Sequence, residues 1–374
     1  MKGEKTKEKK RKKRIAAIAV AGAVAVMVLV LALVNAFVFP LRYLSVLFSL
    51  PEVEARAERE LALHFIDVGQ GDAALIEFPD GKTLLIDGGG EESDALLRYL
   101  RALKIDTLDY LLLTHPDSDH CGGLSDVLEL FGAKHIYMPY CPDETINASY
   151  AAFTSAVRKA ARKGTSVHIS QTFSAIVSED VECFYYAMIL LPLPYESENS
   201  AYRALVNENS DSAANDASAV VYLEYAGVRF LFTGDIGENV ENGLVRDYGI
   251  FGDELFARTV QVGGRSIELR PDIADIDVLK VSHHGSASST SAEFARLVSP
   301  RFALIGVGAG NLYGHPSPSV IERLKSADQT CEVYRTDEAG NIVLRVGEEG
   351  KLSPHLQKSF KLEIYRKKSF SEYI

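Results

Sequence analysis

The segment TLDYLLLTHPDSDHCGGL, residues 107–124, decides the fold. Its YLLLT part has the short apolar run of a buried strand, and the polar residues begin where that strand ends. Four metal-capable side chains fall within six residues: His115, Asp117, Asp119 and His120. In an extended segment positions 115, 117 and 119 face one side and His120 another, which suits two adjacent cations. An acidic turn that caps the next helix is the alternative, but the type and density of ligands favour metal.

Outward from this segment, residues 61–350 alternate strand-like and helix-like stretches. Asp80-Gly81 predicts a hairpin turn between AALIEF and TLLIDG, and Ala226-Gly227 predicts a second one. Hairpins with interleaved helices indicate two sheets faced by helices, not one parallel sheet. The polar stretch from Pro192 to Asp216 is predicted to be a loop or insertion, and residues 249–272 to be irregular.

Two helix starts carry capping signals. The segment TSAEFARLV, residues 290–298, opens with Thr290 and Glu293 at the spacing of a capping box. In SPSVIERLKSA, Ser317 is the predicted N-cap and Pro318 the first helical residue.

The N-terminus has the pattern of a membrane anchor. IAAIAVAGAVAVMVLVLALV, residues 15–34, is twenty residues without a charge, which matches the hydrocarbon core of a bilayer. The preceding 14 residues hold nine Lys or Arg against two Glu, so the positive-inside rule predicts a cytoplasmic tail at 1–14. We expect a transmembrane anchor over 15–39 and a juxtamembrane stalk over 40–60, helical at its end. A signal peptide cleaved near Val34-Asn35-Ala36 is the alternative.

Charge and cysteine content narrow the function. The chain carries −11 overall, and because residues 1–14 carry +7 the remainder carries −18. Such an acidic body argues against tight binding along a nucleic-acid backbone, so a polyanionic substrate requires a metal. Four cysteines without C-x-x-C spacing exclude a zinc finger, an iron–sulfur cluster and a small disulfide scaffold, and their pairing outside the cell stays open.

Three further strings hold chemistry-bearing residues after predicted strands. RFLFTGDIGE, residues 229–238, places Asp235 at a strand end, where an Asp alone is more often a turn residue or N-cap. DVLKVSHHGSASS, residues 277–289, offers His283 and His284, with Lys280 as either a snorkelling strand residue or a phosphate contact. NLYGHPS, residues 311–317, contains His315.

These strings resemble the metallo-β-lactamase fold superfamily, whose signature at the first string is H-x-H-x-D-H. The chain is most similar to the hydrolase domain of ComEC-type competence proteins, in which an Asp replaces the middle His, as Asp117 does here. The resemblance extends in order over residues 61–346, through HFIDVGQGDAALIEFPDGKTLLIDGGG, NDASAVVYLEYAGVRFLFTGD, DVLKVSHHGS, NLYGHPS and VYRTDEAGNI. It implies an α/β fold, a metallo-β-lactamase-like αββα sandwich, preceded here by one transmembrane helix.

The resemblance also implies a dinuclear metal site. Asp235 would bridge two divalent cations, and of the paired histidines we take His284 as the ligand and His283 as a substrate or outer contact. Asp119, His283 and His315 are the expected catalytic residues. The expected metal ligands are His115, Asp117, Asp119, His120, Asp235 and His284.

The chain departs from the superfamily at the third motif. His135 and His168 lie in or beside predicted strands, and Asn215 and Ser218 stand where the family has its third-motif ligand, so Asn215, Ser218 or neither completes the first site. With Asp117 in place of a His the site is rich in oxygen, which raises the expectation of Mn(II) relative to Zn(II). Asp67 and Asp87 are either turn residues or orient the first cluster. Cys121 is interpreted as a small buried hydrophobe rather than a thiolate ligand.

The sequence thus predicts a single-pass membrane protein with its hydrolase domain at 61–350 outside the cytoplasm and a tail at 351–374. The expected activity is metal-dependent hydrolysis by a phosphodiesterase or nuclease related to DNA uptake. The expected partners are membrane lipid, a phosphodiester substrate (DNA or wall polymer) and a DNA-uptake channel. The alternatives are a cell-wall phosphodiesterase such as a phosphorylcholine esterase, and a catalytically idle surface binding module. Asp117 disfavours a β-lactamase.

Overall fold

The computed structural model describes residues 2–37, 40–141, 146–180, 183–192 and 211–357. Contacts divide the chain into two compact units, residues 1–51 and 52–374. Most of the loop predicted between Pro192 and Asp216 lies outside the described residues, as do residues 358–374 of the predicted tail.

The first unit is dominated by one helix, α1 (Lys2–Phe37), followed by a short 3-10 helix, Leu41–Leu47. The basic tail and the apolar run are therefore one continuous helix. Within the described residues its Arg11–Asn35 stretch is a candidate membrane span by length and composition. The stalk is helical at its start rather than at its predicted end, because residues 51–57 form no regular element.

The second unit contains an eight-stranded sheet in the order β17-β16-β1-β2-β3-β4-β5-β6. Strands β3 to β6 run parallel and the other neighbours antiparallel. The strands are β1 (Leu61–Phe65), β2 (Ala74–Glu77), β3 (Thr83–Ile86), β4 (Leu108–Leu112), β5 (Ala133–Met138), β6 (Ser166–Ile169), β16 (Ile342–Val346) and β17 (Leu352–Leu356).

A seven-stranded sheet in the order β15-β14-β13-β10-β9-β8-β7 faces it. Strands β10, β13, β14 and β15 run parallel, so their carboxyl ends meet at one edge. The strands are β7 (Ala175–Val177), β8 (Tyr185–Leu191), β9 (Val220–Tyr225), β10 (Val228–Phe232), β13 (Val278–Lys280), β14 (Phe302–Ile305) and β15 (Glu332–Arg335).

Helices connect many of the strands in this unit, and other strands follow one another directly as hairpins. The described α-helices are α2 (Asp94–Ala102), α3 (Ser118–Cys121), α4 (Leu124–Leu130), α5 (Ala148–Ala161), α6 (Asp211–Asp216), α7 (Glu238–Phe251), α8 (Ala292–Val298), α9 (Pro318–Ala327) and α10 (Thr336–Ala339).

The core lies between the two sheets, in one cluster of buried side chains drawn from both. Phe78, beyond β2, stacks on Tyr185 of β8 with ring centroids 4.2 Å apart, which joins the sheets directly. A second cluster combines Leu231 and Leu279 of the seven-stranded sheet with Phe294 of α8 and Leu324 of α9, so helices cover the outer face of that sheet. The mixed α/β fold with two facing sheets is confirmed.

Two segments differ from the sequence-based expectation. Residues 249–272 are not irregular throughout, because β11 (Arg258–Val262) and β12 (Arg265–Leu269) form an antiparallel ribbon. Its Gly263-Gly264 turn has two positive φ angles, 55° and 77°, the pair that a two-residue hairpin loop requires. Strand β17 lies in the segment that was predicted to be a tail, where it pairs with β16 at the sheet edge.

Candidate metal centre

The first cluster is bent by a helical turn. Asp117 is extended at φ −66° and ψ 148° and is the N-cap residue of α3, so residues 115–120 do not form the extended segment that the sequence suggested. The turn brings the rings of His115 and His120 to a centroid distance of 4.1 Å. The helical turn, rather than strand alternation, therefore places the first cluster at the carboxyl end of β4.

Four side chains from three loops converge beside this turn, and we call them the four-ligand cluster: Asp119, His120, Asp235 and His284. Nε2 of His120 lies 3.2 Å from Nε2 of His284. The Asp235 carboxylate is 3.4 Å from the first of these nitrogens and 3.3 Å from the second. Oδ2 of Asp119 is 3.3 Å from Nε2 of His284.

These separations fit a bound cation. Ligand atoms about 2.0–2.1 Å from a tetrahedral zinc ion are about 3.3 Å from one another. Each imidazole also presents Nε2 inward because its Nδ1 is occupied: that of His120 by Asp87 Oδ2 at 2.8 Å, and that of His284 by the Gly306 carbonyl at 2.7 Å. Such outer hydrogen bonds are typical of metal-bound histidines.

Asp72 lies close to the same imidazoles but on their other side. Its oxygens are 3.6 Å from Nδ1 of His284 and 4.0 Å from Nδ1 of His120. Asp72, His120, Asp235 and His284 do form a compact buried group. Because the inward nitrogens face Asp119 and Asp235, we assign Asp72 a positioning role instead of a ligand role.

Lys280 is the partner of Asp72. Its ammonium lies 2.5 Å from Asp72 Oδ2 and 3.1 Å from Asp235 Oδ1, and it donates to the Gly234 carbonyl at 2.6 Å. The side chain is 4% exposed, so its ammonium neither reaches solvent nor contacts a phosphate. It is a buried counter-ion that holds two carboxylates in place.

A second group of donors surrounds His115. Its Nδ1 is 3.0 Å from the Thr114 hydroxyl, which itself donates to Asp87 Oδ2. Its buried Nε2 has no hydrogen-bond partner among the described residues and lies 3.8 Å from Asp117 Oδ2. An orphaned imidazole nitrogen beside a carboxylate fits a second cation.

The third-motif residues take different positions. Buried Oδ1 of Asn215 has no hydrogen-bond partner in the described part of the chain, while its Nδ2 lies 3.5 Å from Nε2 of His283. Ser218 Oγ accepts the backbone N–H of Asp235 at 3.0 Å, so it positions that loop. Of the two, only Asn215 offers an unused oxygen.

The protonation states suit metal ligands. Burial, with a contribution from His120, lowers the pKa of His115 well below its usual value and keeps the ring neutral. Burial tends to raise the pKa of Asp235, but His284 and His120 outweigh it, and the pKa falls well below the usual range. For His120, Asp235 and Asp87 outweigh burial and raise the pKa, so cation binding at Nε2 displaces a proton.

The remaining predicted residues border the cluster. Nε2 of His283 lies 3.8 Å from Asp235 Oδ2, and its ring centroid is 5.8 Å from that of His315. Both rings are only partly buried. They are therefore placed to meet a molecule entering the centre.

Two of the histidines considered in the sequence analysis lie outside the cluster. His135 lies on β5 and His168 on β6, and Nδ1 of the first is 3.4 Å from Nε2 of the second.

Cys121 is buried and its Sγ donates to the Pro116 carbonyl. Burial raises its pKa to about 12, which disfavours a thiolate. The carboxylate of Asp67 accepts from Gly69 N–H, a turn contact, whereas Asp87 orients His120 and Thr114.

Sequence reasoning missed the pairing of Asp72 with Lys280. Both residues stand in quoted motifs, and the only local signal was a Lys in an otherwise apolar strand. A charged residue in a buried strand predicts a buried partner, although it does not name one.

Known proteins are similar to this chain over most of its length. The family model of the metallo-beta-lactamase superfamily matches residues 66–140. ComE operon protein 3 of Bacillus subtilis (strain 168) is 26% identical over 319 residues, which cover 80% of this chain and 34% of that protein. Competence protein ComA of Neisseria gonorrhoeae is 26% identical over 299 residues, 79% of this chain and 34% of that protein.

A solved structure, the metallo hydrolase Igni18 from the archaeon Ignicoccus hospitalis, is 14% identical with a TM-score of 0.41, covering 79% of this chain and 98% of its own. The chain spans about a third of the length of the two curated relatives. A metallo-beta-lactamase superfamily model thus matches one part of this chain, and 72–80% of the chain is similar to competence and recombination proteins.

Proposed function

We propose that this metallo-β-lactamase-fold hydrolase is a dinuclear phosphodiesterase or nuclease, anchored in the membrane by residues 15–39 and acting outside the cytoplasm. The observation that carries the proposal is the four-ligand cluster, in which inward nitrogens and carboxylate oxygens are 3.2–3.4 Å apart. The orphaned Nε2 of His115 supplies the second site.

Each residue has a task in this reaction. Asp119, His120, Asp235 and His284 would hold one cation, and His115, Asp117 and Asp235 the other, with Asn215 Oδ1 available to the latter. When held by these residues, two divalent cations would supply the acidity of a metal-bound water and the positive charge that offsets charge on the phosphoryl oxygens.

Other side chains orient these ligands or meet the substrate. Asp87 fixes the ring of His120, and Lys280 fixes Asp235. His283 and His315 border the cluster on its open side, where they would contact the substrate. Because burial lowers the pKa of both rings, each would take a proton from the attacking water before passing it to the leaving oxygen.

The donor set favours a cation that accepts oxygen ligands. Asp117 and Asn215 stand where the superfamily signature uses nitrogen, so we propose Mn(II) ahead of Zn(II). We propose DNA as the substrate and a DNA-uptake channel as a partner, and the likeness to competence and recombination proteins supports this proposal. The acidic body favours short or single-stranded segments over a long duplex.

The test uses the full chain in detergent, stripped with a chelator and reloaded with Mn²⁺ or Zn²⁺. Methyl p-nitrophenyl phosphate, single- and double-stranded DNA and a β-lactam are offered as substrates. We expect metal-dependent cleavage of the phosphodiesters, with two cations per chain. Hydrolysis of the β-lactam alone, or phosphodiester cleavage that persists after complete metal removal, contradicts the proposal.

Matched variants assign the ligands. Asp119→Ala should lose one cation and phosphodiester hydrolysis together, whereas His135→Ala, a strand histidine outside the cluster, should keep both. Asp235→Asn keeps the shape of the strand-end turn but removes its charge, so the metal content should fall at both sites. His284→Ala should mainly lose one cation. A fully metallated, fully active Asp235→Asn protein would remove Asp235 from the site.

A further inference from the structure

The loop beyond β14 presents two apolar side chains to solvent. Leu312 is 99% exposed and Tyr313 is 72% exposed. Large apolar groups that protrude together on a loop mark a contact surface more often than a chance exposure.

The loop has a preformed shape. Asn311 closes it by accepting from His315 N–H and donating through Nδ2 to the carbonyls of His315 and Gly308. Gly310 and Gly314, on either side of the tip, both adopt φ of 71°, which side-chain-bearing residues rarely do. The hydrogen bonds of Asn311 and the conformations of the two glycines thus hold the tip of the loop in one shape.

The Tyr313 ring continues a series of rings that leads out of the metal centre. It stacks on His315 with a centroid distance of 5.8 Å and an interplanar angle of 17°. His315 lies 5.8 Å from the ring of His283, which reaches Asp235 at 3.8 Å. One face of Tyr313 rests on His315, and its high exposure leaves the other face open.

We propose that Tyr313 is a stacking platform for a nucleobase next to the phosphodiester under attack, so that the enzyme prefers nucleotide over base-free phosphodiesters. This inference rests on the proposed phosphodiesterase function. Stacking on an aromatic ring is how proteins hold single-stranded nucleic acid without reading its sequence. It also suits an acidic protein that cannot follow a long phosphate backbone.

A lipid surface is the competing occupant of this tip. The sequence of the loop, GVGAGNLYGHPS at residues 306–317, contains no Lys or Arg to attract anionic headgroups. The stacking of Tyr313 on a ring that borders the metal centre favours a substrate contact.

The absence of Trp from the chain allows a direct test. Tyr313→Trp introduces the only Trp fluorophore, and the full chain is studied in detergent with Mn²⁺ bound. A tetrathymidylate with phosphorothioate linkages should quench this emission, whereas an abasic tetramer with the same linkages should compete for binding without quenching. Phe251→Trp, at an exposed position that ends α7, is the control and should respond to neither.

Kinetics give an independent readout. For Tyr313→Ala, the ratio of kcat/KM for thymidine 5′-(p-nitrophenyl phosphate) to that for methyl p-nitrophenyl phosphate should fall about tenfold, the scale of one base–aromatic stack. Tyr313→Phe should preserve the ratio, and so should Phe251→Ala.

The outcomes separate the two proposals. Quenching without any hydrolysis supports the base contact and removes the phosphodiesterase assignment. Hydrolysis with an unchanged ratio in Tyr313→Ala, or equal effects of the two tetramers on the emission of the Tyr313→Trp variant, overturns the base contact alone. A blue shift on anionic phospholipid vesicles without quenching by tetrathymidylate assigns the loop to a membrane and overturns it as well.

Discussion

Replacing Lys280 with Met should destabilise the metal-free protein severely. The Lys280 ammonium lies between Asp72 and Asp235, at 2.5 and 3.1 Å, and all three side chains are 4–5% exposed. Met keeps the apolar stem but removes the charge, so two buried carboxylates lose their counter-ion. Breaking a buried ion pair by removing one partner typically costs about 3–5 kcal/mol. That is a large share of the roughly 5–15 kcal/mol that stabilises a typical domain.

An ion pair of similar length with an exposed Lys is the control, because we expect burial rather than distance to set the loss of stability. Lys134 and Asp109 are 2.6 Å apart, but the Lys side chain is 64% exposed. Exposed pairs contribute about 0–1 kcal/mol, so Lys134→Met should be nearly neutral. The assay is denaturant unfolding of the chelator-treated full chain in detergent, followed by circular dichroism.

The second arm is a double-mutant cycle. Asp72→Asn removes one of the two stranded charges, so Asp72→Asn combined with Lys280→Met should be more stable than the sum of the two single changes predicts. Coupling in such pairs is about 0.5–3 kcal/mol. Equal losses for Lys280→Met and Lys134→Met, or an additive cycle, would refute the counter-ion role.

Three further predictions concern pH, metal affinity and topology. Burial, with a smaller effect of the neighbouring histidine, lowers the pKa of His168, so the unfolded chain binds more protons and stability falls as pH drops below about 6.5. His168→Gln should reduce the change in the unfolding midpoint between pH 7.5 and pH 5.5, and a variant that keeps the full pH dependence of the parent chain contradicts this. Asp87→Asn weakens the orienting bond to His120 and should lower metal affinity about 10–100-fold in chelator competition, and unchanged affinity would exclude that role. Protease added to intact cells should leave a protected fragment of about residues 1–34, and protection of the whole chain would contradict an extracytoplasmic domain.

Local signals predicted the parts of the fold that depend on neighbouring residues. The Asp80-Gly81 turn joins β2 and β3, and Ser317 with Pro318 begins α9, as their spacing indicated. The start of α8 was misplaced by one residue: Ser291, not Thr290, is the N-cap. The Gly263-Gly264 hairpin was overlooked although a local signal was present: Val260-Gln261-Val262 and Ile267-Glu268-Leu269 alternate apolar and polar residues on either side of the Gly-Gly pair.

The candidate site was predictable where its residues are contiguous. His115 to His120 stand together in the chain, and strand-end motifs suggested that the other strings would meet them. Sequence could not show the helical turn at Ser118 that sets their directions, nor which nitrogen of each His faces inward. The pairing of Asp72 with Lys280 joins residues far apart in the chain, which no local pattern specifies.

The charges of the cluster balance one another in the absence of metal. Asp72, Asp119 and Asp235 place three carboxylates around two imidazoles, and Lys280 is the fixed positive charge that contacts two of them. In the metal-free protein nearby carboxylates outweigh burial and raise the pKa of both His120 and His284, so two imidazolium rings and Lys280 together balance the three carboxylates. We expect a cation that binds at the inward nitrogens to displace both protons, which leaves the added positive charge of the metal in place of theirs. On the proposed function, a metal-loaded cluster would then let a chain whose body carries −18 accept a polyanion at one point without a basic groove.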